Sequence, residues 1–370
     1  MRAFAAAGGL ILLLVVLWDA FETLLLPRRV SGAFRLGRDL QFTMWRIWSS
    51  LARGAPTRRR REEILSPFAM STMLVLIVVW ALGIALSFGF MQWGVGSRMA
   101  DVTGIPAGIF TDLYMSGSTF FTLGLGDVSP TTPLARLLCV IEAGMGLGFL
   151  AMVVSYLPVL YQSFSRREAR IVMLDEWAGS PPTPAVLLKR VAEVGEGHEI
   201  GVLLHDWEQW SAELLESHLS YSILAYFRSQ HDNQSWLASL TSVLDTCSLV
   251  MAGIEGMPTL QARLTFAIAR HAMVDLSQVL RCRPIREGPD RLPPEDLATL
   301  RALLTTAGLK PYQGAVADHQ LNELRALYEP YARALGAHLL MELPNWLPPE
   351  KKRFNWETTA WMRTGEEEAH

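Results

Sequence analysis

The chain has 370 residues, half of them hydrophobic, with a mean hydropathy of +0.21, 19% charged residues and a formal net charge of −3. That balance points to a membrane protein with a large water-facing part, and nothing beyond one basic loop suggests nucleic acid. Three cysteines, Cys139, Cys247 and Cys282, stand at no metal or redox spacing and argue against a disulfide framework.

Phe4 to Leu26 is a continuous apolar run, long enough to cross a bilayer. No small-x-small cleavage site follows Trp18, so the run is expected to be a membrane helix rather than a signal peptide. Asp19 and Glu22 lie near its end, where an acid is costly unless it is paired or snorkels. Arg28 or Arg29 is the expected partner, with a role in gating as the alternative.

Between Arg28 and Leu65, ten arginines face three acids. By the positive-inside rule this loop is cytoplasmic, which puts the N-terminus outside the cell membrane. Leu40, Met44, Ile47, Trp48 and Leu51 recur at helical spacing, as in a helix lying on the inner membrane surface. Arg58, Arg59, Arg60 and Arg61 are contiguous, so they cannot form the single-faced ladder of a voltage sensor. Acidic lipid is their expected partner.

Pro67 to Trp93 reads as the second membrane helix, with proline suited to the first turn. From Pro106 a helix of about fifteen residues runs to Phe121, too short to span a bilayer at 1.5 Å per residue. It is expected to enter from outside and aim the partial negative charge of its C-terminal end at an ion path.

The stretch that follows reads T-L-G-L-G-D, from Thr122 through Leu123, Gly124, Leu125 and Gly126 to Asp127. Stripping water from a monovalent cation takes rows of carbonyl oxygens facing one axis. Glycine at alternate positions visits positive φ at no steric cost, so successive peptide units can turn their oxygens inward. The Thr122 hydroxyl adds one more ring at the inner end, and Asp127 marks the outer mouth.

Placed between two membrane-length apolar helices, this stretch resembles the selectivity filter of the potassium channel superfamily, and the resemblance runs from about Phe68 to Phe164. It implies a homotetramer around one path, with K+ as the permeant ion and no organic cofactor. Leu125 stands where tyrosine is usual, as leucine or phenylalanine does in some members. Filter support is expected from Ser118, Thr119 and Glu142. The inner helix, Leu134 to Phe164, is weakened at Gly144, Gly146 and Gly148, and Pro158 removes a backbone donor. Close packing and a gating hinge at Gly144, Gly146 and Pro158 are both open readings. The gapless alignment turns Leu147, Leu150, Ala151, Val154 and Pro158 toward a cavity, and sets Glu142 against the pore helix.

Arg166, Arg167 and Arg170 are expected to close the inner helix, and Ser180 to Pro184 reads as a linker. Helical periodicity recurs in Ile200 to Ser229, Trp236 to Ile254, Leu260 to Leu280, Pro294 to Ala307 and Leu321 to Met341. Asp245 and many hydroxyls make Trp236 to Gly253 a core helix rather than a further crossing. Gly195, Gly197 and Gly201 follow a helix, not a strand, and do not make a dinucleotide loop. His198, His205 and His218 lie near Asp206, Glu208 and Glu216 without a standard ligand spacing, and no metal besides K+ is expected. His271 and Asp275 form a packed pair.

The fold expected is an all-α membrane protein: three transmembrane helices and one re-entrant pore helix with its filter per chain, plus an all-helical cytoplasmic domain. Its parts are residues 1–27, the basic segment 28–66, the pore domain 67–164 and the cytoplasmic domain 165–370. No enzyme motif stands out. The functional expectation is passive K+ conduction modulated by the cytoplasmic domain. A weakly selective cation channel and a non-conducting membrane-anchored sensor or scaffold are the alternatives.

Overall fold

The computed structural model describes residues 1–24, 36–96, 99–101, 108–194, 197–231 and 233–348. The chain divides into two compact units, residues 1–162 and 163–370. It is an all-α membrane protein, and the only strands among the described residues are two of three residues each.

In the first unit, α1 (Arg2–Leu24) packs along α4 (Phe68–Gly94). Leu13, Val16 and Ala20 bury against Leu76, Trp80, Ile84 and Phe88. Gly9 makes the close approach possible, since a Cβ there would lie 2.6 Å from the Ser87 carbonyl oxygen. The opposite faces carry exposed Ile11, Leu14 and Trp18 on α1, and Leu74, Val78 and Leu82 on α4. A helix apolar on its outward face suits lipid rather than water.

Between them lie α2 (Leu36–Arg53) and α3 (Arg58–Leu65). Trp45 and Trp48 set their rings at 4.8 and 5.9 Å from Phe68, and the Trp48 indole donates to the Ile64 carbonyl at 2.6 Å. The expected apolar stripe of α2 is therefore divided. Trp45, Ser49 and Ala52 are buried, Leu40, Met44 and Trp48 half-buried, and Ile47 and Leu51 exposed. The arginine quartet opens α3, whose N-cap Thr57 accepts from the Arg60 amide at 3.3 Å.

Arg28 and Arg29, the expected partners of Asp19, lie outside the described residues. Among the described residues, the buried Asp19 carboxylate accepts from the Gly37 amide at 3.0 and 3.1 Å and from the Trp80 indole at 2.8 Å. It thereby ties α1 to the first turn of α2 and to α4, where the helix dipole favours an anion.

The short helix α5, the expected pore helix, spans Ile109–Phe120. Pro106, its expected start, lies outside the described residues. β1 (Met99–Asp101) and β2 (Val128–Pro130) pair antiparallel with Ala100 opposite Ser129, so the segment after the filter is held to the one before α5. α6 runs from Pro133 to Ala178, beyond the expected end at Phe164. The three arginines do not stop it because charge does not break a helix. The break comes at Gly179, with φ +85°.

The second unit comprises the end of α6, then α7 (Pro184–Val194), α8 (Gly197–Ser220), a 3-10 turn (Ser222–Tyr226), α9 (Trp236–Gly253), α10 (Thr259–Val279), α11 (Pro294–Thr306), α12 (Ala315–Ala326) and α13 (Glu329–Leu339). α9 is long and apolar enough to cross a membrane, as are α1, α6 and Arg58–Gly94. Yet every residue of α9 from Trp236 to Val250 is buried inside the unit. Three expectations need correction. Pro184 opens α7 instead of closing a linker, the segment 200–229 breaks at Tyr221, and 321–341 is two helices. Pro330, in the first turn of α13, cannot continue the helix before it.

A cluster of buried and half-buried charged residues, Arg291, Asp245, Glu329 and Arg325, ties this unit together. Arg291 grips Asp245 with two bonds at 2.6 and 3.2 Å and reaches Glu329 at 3.3 Å. Tyr328 also donates to Asp245, and Arg325 bonds Glu329 and Asp290. Burial works against the charge of Arg291, but the adjoining Asp245 carboxylate outweighs it and raises the pKa above the ordinary arginine value.

Candidate ion-conducting site

The C-terminal end of α5 hands the chain directly to the filter. The amides of Phe121, Thr122 and Leu123 donate to the carbonyls of Gly117, Thr119 and Ser118 at 3.0, 3.1 and 2.8 Å. Ser118 and Thr119 thus meet the start of the T-L-G-L-G-D stretch through their carbonyl oxygens.

Beyond that turn the sign of φ alternates. Thr122, Gly124 and Gly126 stand at +57°, +60° and +77°, and Leu123 and Leu125 between them do not share the left-handed region. Such alternation brings successive carbonyls to one side of the chain, an arrangement that ordinary strand geometry lacks. Thr122 is β-branched, and holding it at positive φ stores local strain of about 1–3 kcal/mol, as recurs at functional sites. A Cβ on Gly124 or Gly126 would meet nothing within 4 Å, so glycine is required there by backbone conformation, not by space.

Phe121 to Gly126 are all exposed in the single chain, including Leu123 at 61% and Leu125 at 66%. Leu147, Leu150, Ala151, Val154 and Pro158 on α6 are exposed as well. A cavity of about 340 Å³ opens beside Thr122, walled by Val78, Phe121, Gly146 and Leu150.

Asp127 is held at the mouth by the Tyr114 hydroxyl, 2.8 Å from its Oδ2. Glu142 is fully buried, as expected of a residue facing the pore helix, but its partner is neither Ser118 nor Thr119. It meets the hydroxyl of Ser116, which also touches the Ala85 carbonyl oxygen of α4. Two residues turn a helix by about 200°, so Ser116 and Ser118 lie on nearly opposite sides of α5. Gln92 adds a second tie between α4 and α6, donating to the Ala135 carbonyl at 3.1 Å.

The inner-helix glycines separate into two kinds. A Cβ on Gly146 would overlap the Phe120 carbonyl, so this glycine lets α6 pass the end of α5. Gly144 and Gly148 face open space.

Residues 72–162 match the family described as ion channel. That span starts within α4, includes α5 and the whole filter, and ends in α6. The segment is a pore domain of the potassium channel superfamily. Over 247 residues, the chain is also 25% identical to the uncharacterized membrane protein YdjJ of Bacillus subtilis (strain 168), a likeness covering 64% of this chain and 67% of that protein. No solved structure matches the chain.

His205 lies 3.4 Å from Glu208 on the surface of α8, the side chain of His198 lies outside the described residues, and His271 is 3.5 Å from Asp275 at an exposed position. Gly195 also lies outside the described residues. His218 is buried and turns its Nε2 to Arg167, at 3.3 Å. Arg167 in turn donates to the carbonyls of Leu224 and Phe227 at 2.8 and 3.0 Å and to Glu168 at 2.9 Å. Burial, followed by the adjacent Arg167 charge, pushes the pKa of His218 well below its ordinary value. The partners Ser116, Tyr114 and Gly37 carry no motif. The i to i+4 spacing of Asp112 and Ser116, both buried on α5, was the one local cue to a polar buried face.

Proposed function

We propose that four copies of the chain surround one ion path and conduct potassium passively across the cell membrane. The observation that carries this is the sign alternation of φ at Thr122, Gly124 and Gly126, in a segment wholly exposed in one chain. A single copy supplies one quarter of each oxygen ring, and the exposed leucines of the filter and α6 are surfaces for neighbouring copies to cover. The orientation follows from the ten arginines of the segment 28–65, which keep that side cytoplasmic. Exposed Arg58, Arg59 and Arg60 at the start of α3 are suited to acidic headgroups. α6 continues without a break from residues of the first unit to Arg167, Ile171 and Leu174 of the second, which supports a role for that unit in biasing opening at Gly144, Gly146 or Pro158.

The test is reconstitution of the purified chain with potassium and sodium opposed across the bilayer, together with its mass in mild detergent. A reversal potential near the potassium equilibrium value and a fourfold mass are expected. A reversal potential near zero would favour the weakly selective channel, a reading supported by Leu125, which brings no hydroxyl to brace the filter. Absence of flux from a well-folded tetramer would favour the scaffold.

A further inference from the structure

Ser116 has one hydroxyl hydrogen and two neighbours that need one. Its Oγ lies within hydrogen-bond reach of the Ala85 carbonyl oxygen on α4 and of Glu142 Oε1 on α6. A carbonyl oxygen can only accept. If Ser116 donated to a Glu142 carboxylate, its Oγ and the Ala85 oxygen would face each other at hydrogen-bond distance with no hydrogen between them. Both contacts are hydrogen bonds only when Ser116 donates to Ala85 and Glu142 supplies a hydrogen to Ser116.

The surroundings point the same way. Glu142 is fully buried, and its second oxygen, Oε2, has no partner. No cation pairs with it among the described residues. The ionisable group placed near it is Cys139, one turn earlier on α6, which offers no positive charge. A carboxylate here would hold a full charge on one hydrogen bond away from water, whereas a neutral acid leaves only a carbonyl oxygen unpaired.

We infer that Glu142 is a neutral carboxylic acid, which donates to Ser116 as the first link of a relay, Glu142 to Ser116 to the Ala85 carbonyl, that locks α6, α5 and α4 together behind the filter. This rests on the pore reading of the preceding section and adds a positioning residue to it. Ser116 stands four residues before the end of α5 at Phe120, about 6 Å along the helix at 1.5 Å per residue, so the relay sets where α5 delivers the filter.

The test has two arms on the full chain in lipid vesicles. Infrared spectra of wild type minus Glu142→Gln should contain the carbonyl stretch of a protonated carboxylic acid at neutral pH. The same band should move to higher frequency in Ser116→Ala, where the acid keeps its proton but loses its acceptor. That second variant serves if Glu142→Gln fails to fold. In potassium flux, Glu142→Gln, neutral and still a donor, should stay within about twofold of wild type, while Glu142→Leu, without a donor, should lose roughly tenfold in potassium-over-sodium preference. A difference spectrum without the acid band, or a Gln variant as impaired as the Leu variant, overturns the proposal. The infrared arm needs no conduction. A silent wild type that still carries the band would therefore sink the channel reading and leave the neutral acid standing.

Discussion

Asp19 and Glu142 in the first unit and Asp245 and Glu329 in the second are buried in opposite ways. In the first, Asp19 is met by a backbone amide and an indole, and Glu142 by a serine hydroxyl; neither has an arginine partner among the contacts described above. In the second, Asp245 and Glu329 are gripped by Arg291 and Arg325, whose guanidinium groups lie 5.7 and 5.5 Å from the ring of Trp346. The difference follows from what surrounds each unit. In a unit faced by lipid, neutral donors hold Asp19 and Glu142. A unit faced by water can enclose whole ion pairs, because their desolvation is offset by several mutual bonds at once.

The largest effect expected is at the filter. If the proposed potassium pore is right, Gly124→Ala should abolish selective flux, since a side chain at φ +60° costs about 1–2 kcal/mol in every copy of the proposed assembly even though the space around it is open. Flux in reconstituted vesicles measures this; a variant that conducts like wild type would show that the left-handed alternation is not what the pore uses.

Next is the ionic core of the second unit. Arg291→Met should destabilise it by about 3–5 kcal/mol, by leaving Asp245 and Glu329 buried without their shared partner. Denaturant unfolding followed by far-ultraviolet circular dichroism measures the loss. A change under 1 kcal/mol, on the scale of an exposed ion pair, would erase the contrast between the units.

Asp19→Leu tests the lipid-facing strategy. It leaves the Gly37 amide and the Trp80 indole without an acceptor, at a cost of about 1–3 kcal/mol. Protease cleavage within α2 should become faster in the vesicle-bound protein. Unchanged cleavage would mean that the α1–α2 tie is incidental.

The smallest effect is a pH dependence. His218 is neutral in the folded protein, with its pKa well below the ordinary 6.5 that it regains on unfolding. The unfolded chain therefore binds more protons as pH falls below about 6.5, and this contribution to stability, complete above that pH, is lost on acidification at up to about 1.4 kcal/mol per pH unit. His218→Gln, which keeps an acceptor for Arg167, should flatten the slope between pH 6.5 and 5. An equal slope in the variant would assign the acid sensitivity to other groups.

Much of the first unit was legible without coordinates. Apolar runs of membrane length set α1 and α4, and proline with short length set α5 apart as a helix that does not cross. The glycine alternation of 122–127 marked where the backbone must leave ordinary geometry. These are local properties, carried by residues that follow one another. The full reach of α6 was less legible, because nothing in Arg166 to Arg170 forbids a helix and the decisive signal, Gly179, lies a dozen residues later than the charge cluster suggested.

What the tertiary structure alone decided is which polar groups meet. Periodicity brought Glu142 to the pore helix but could not choose Ser116 over Ser118, because that choice depends on how α5 is rotated against α4 and α6. The partner of Asp19 lies 18 residues away and that of Tyr328 lies 83 residues away, distances over which no spacing rule operates. Gly146 reads equally well as hinge or packing residue, and only the structure places the Phe120 carbonyl against it. The amino-acid sequence determines the membrane-length helices and the glycine alternation of 122–127 because local sterics and hydrophobic length are written residue by residue; the partners of buried acids are determined only when separate helices exclude water between them.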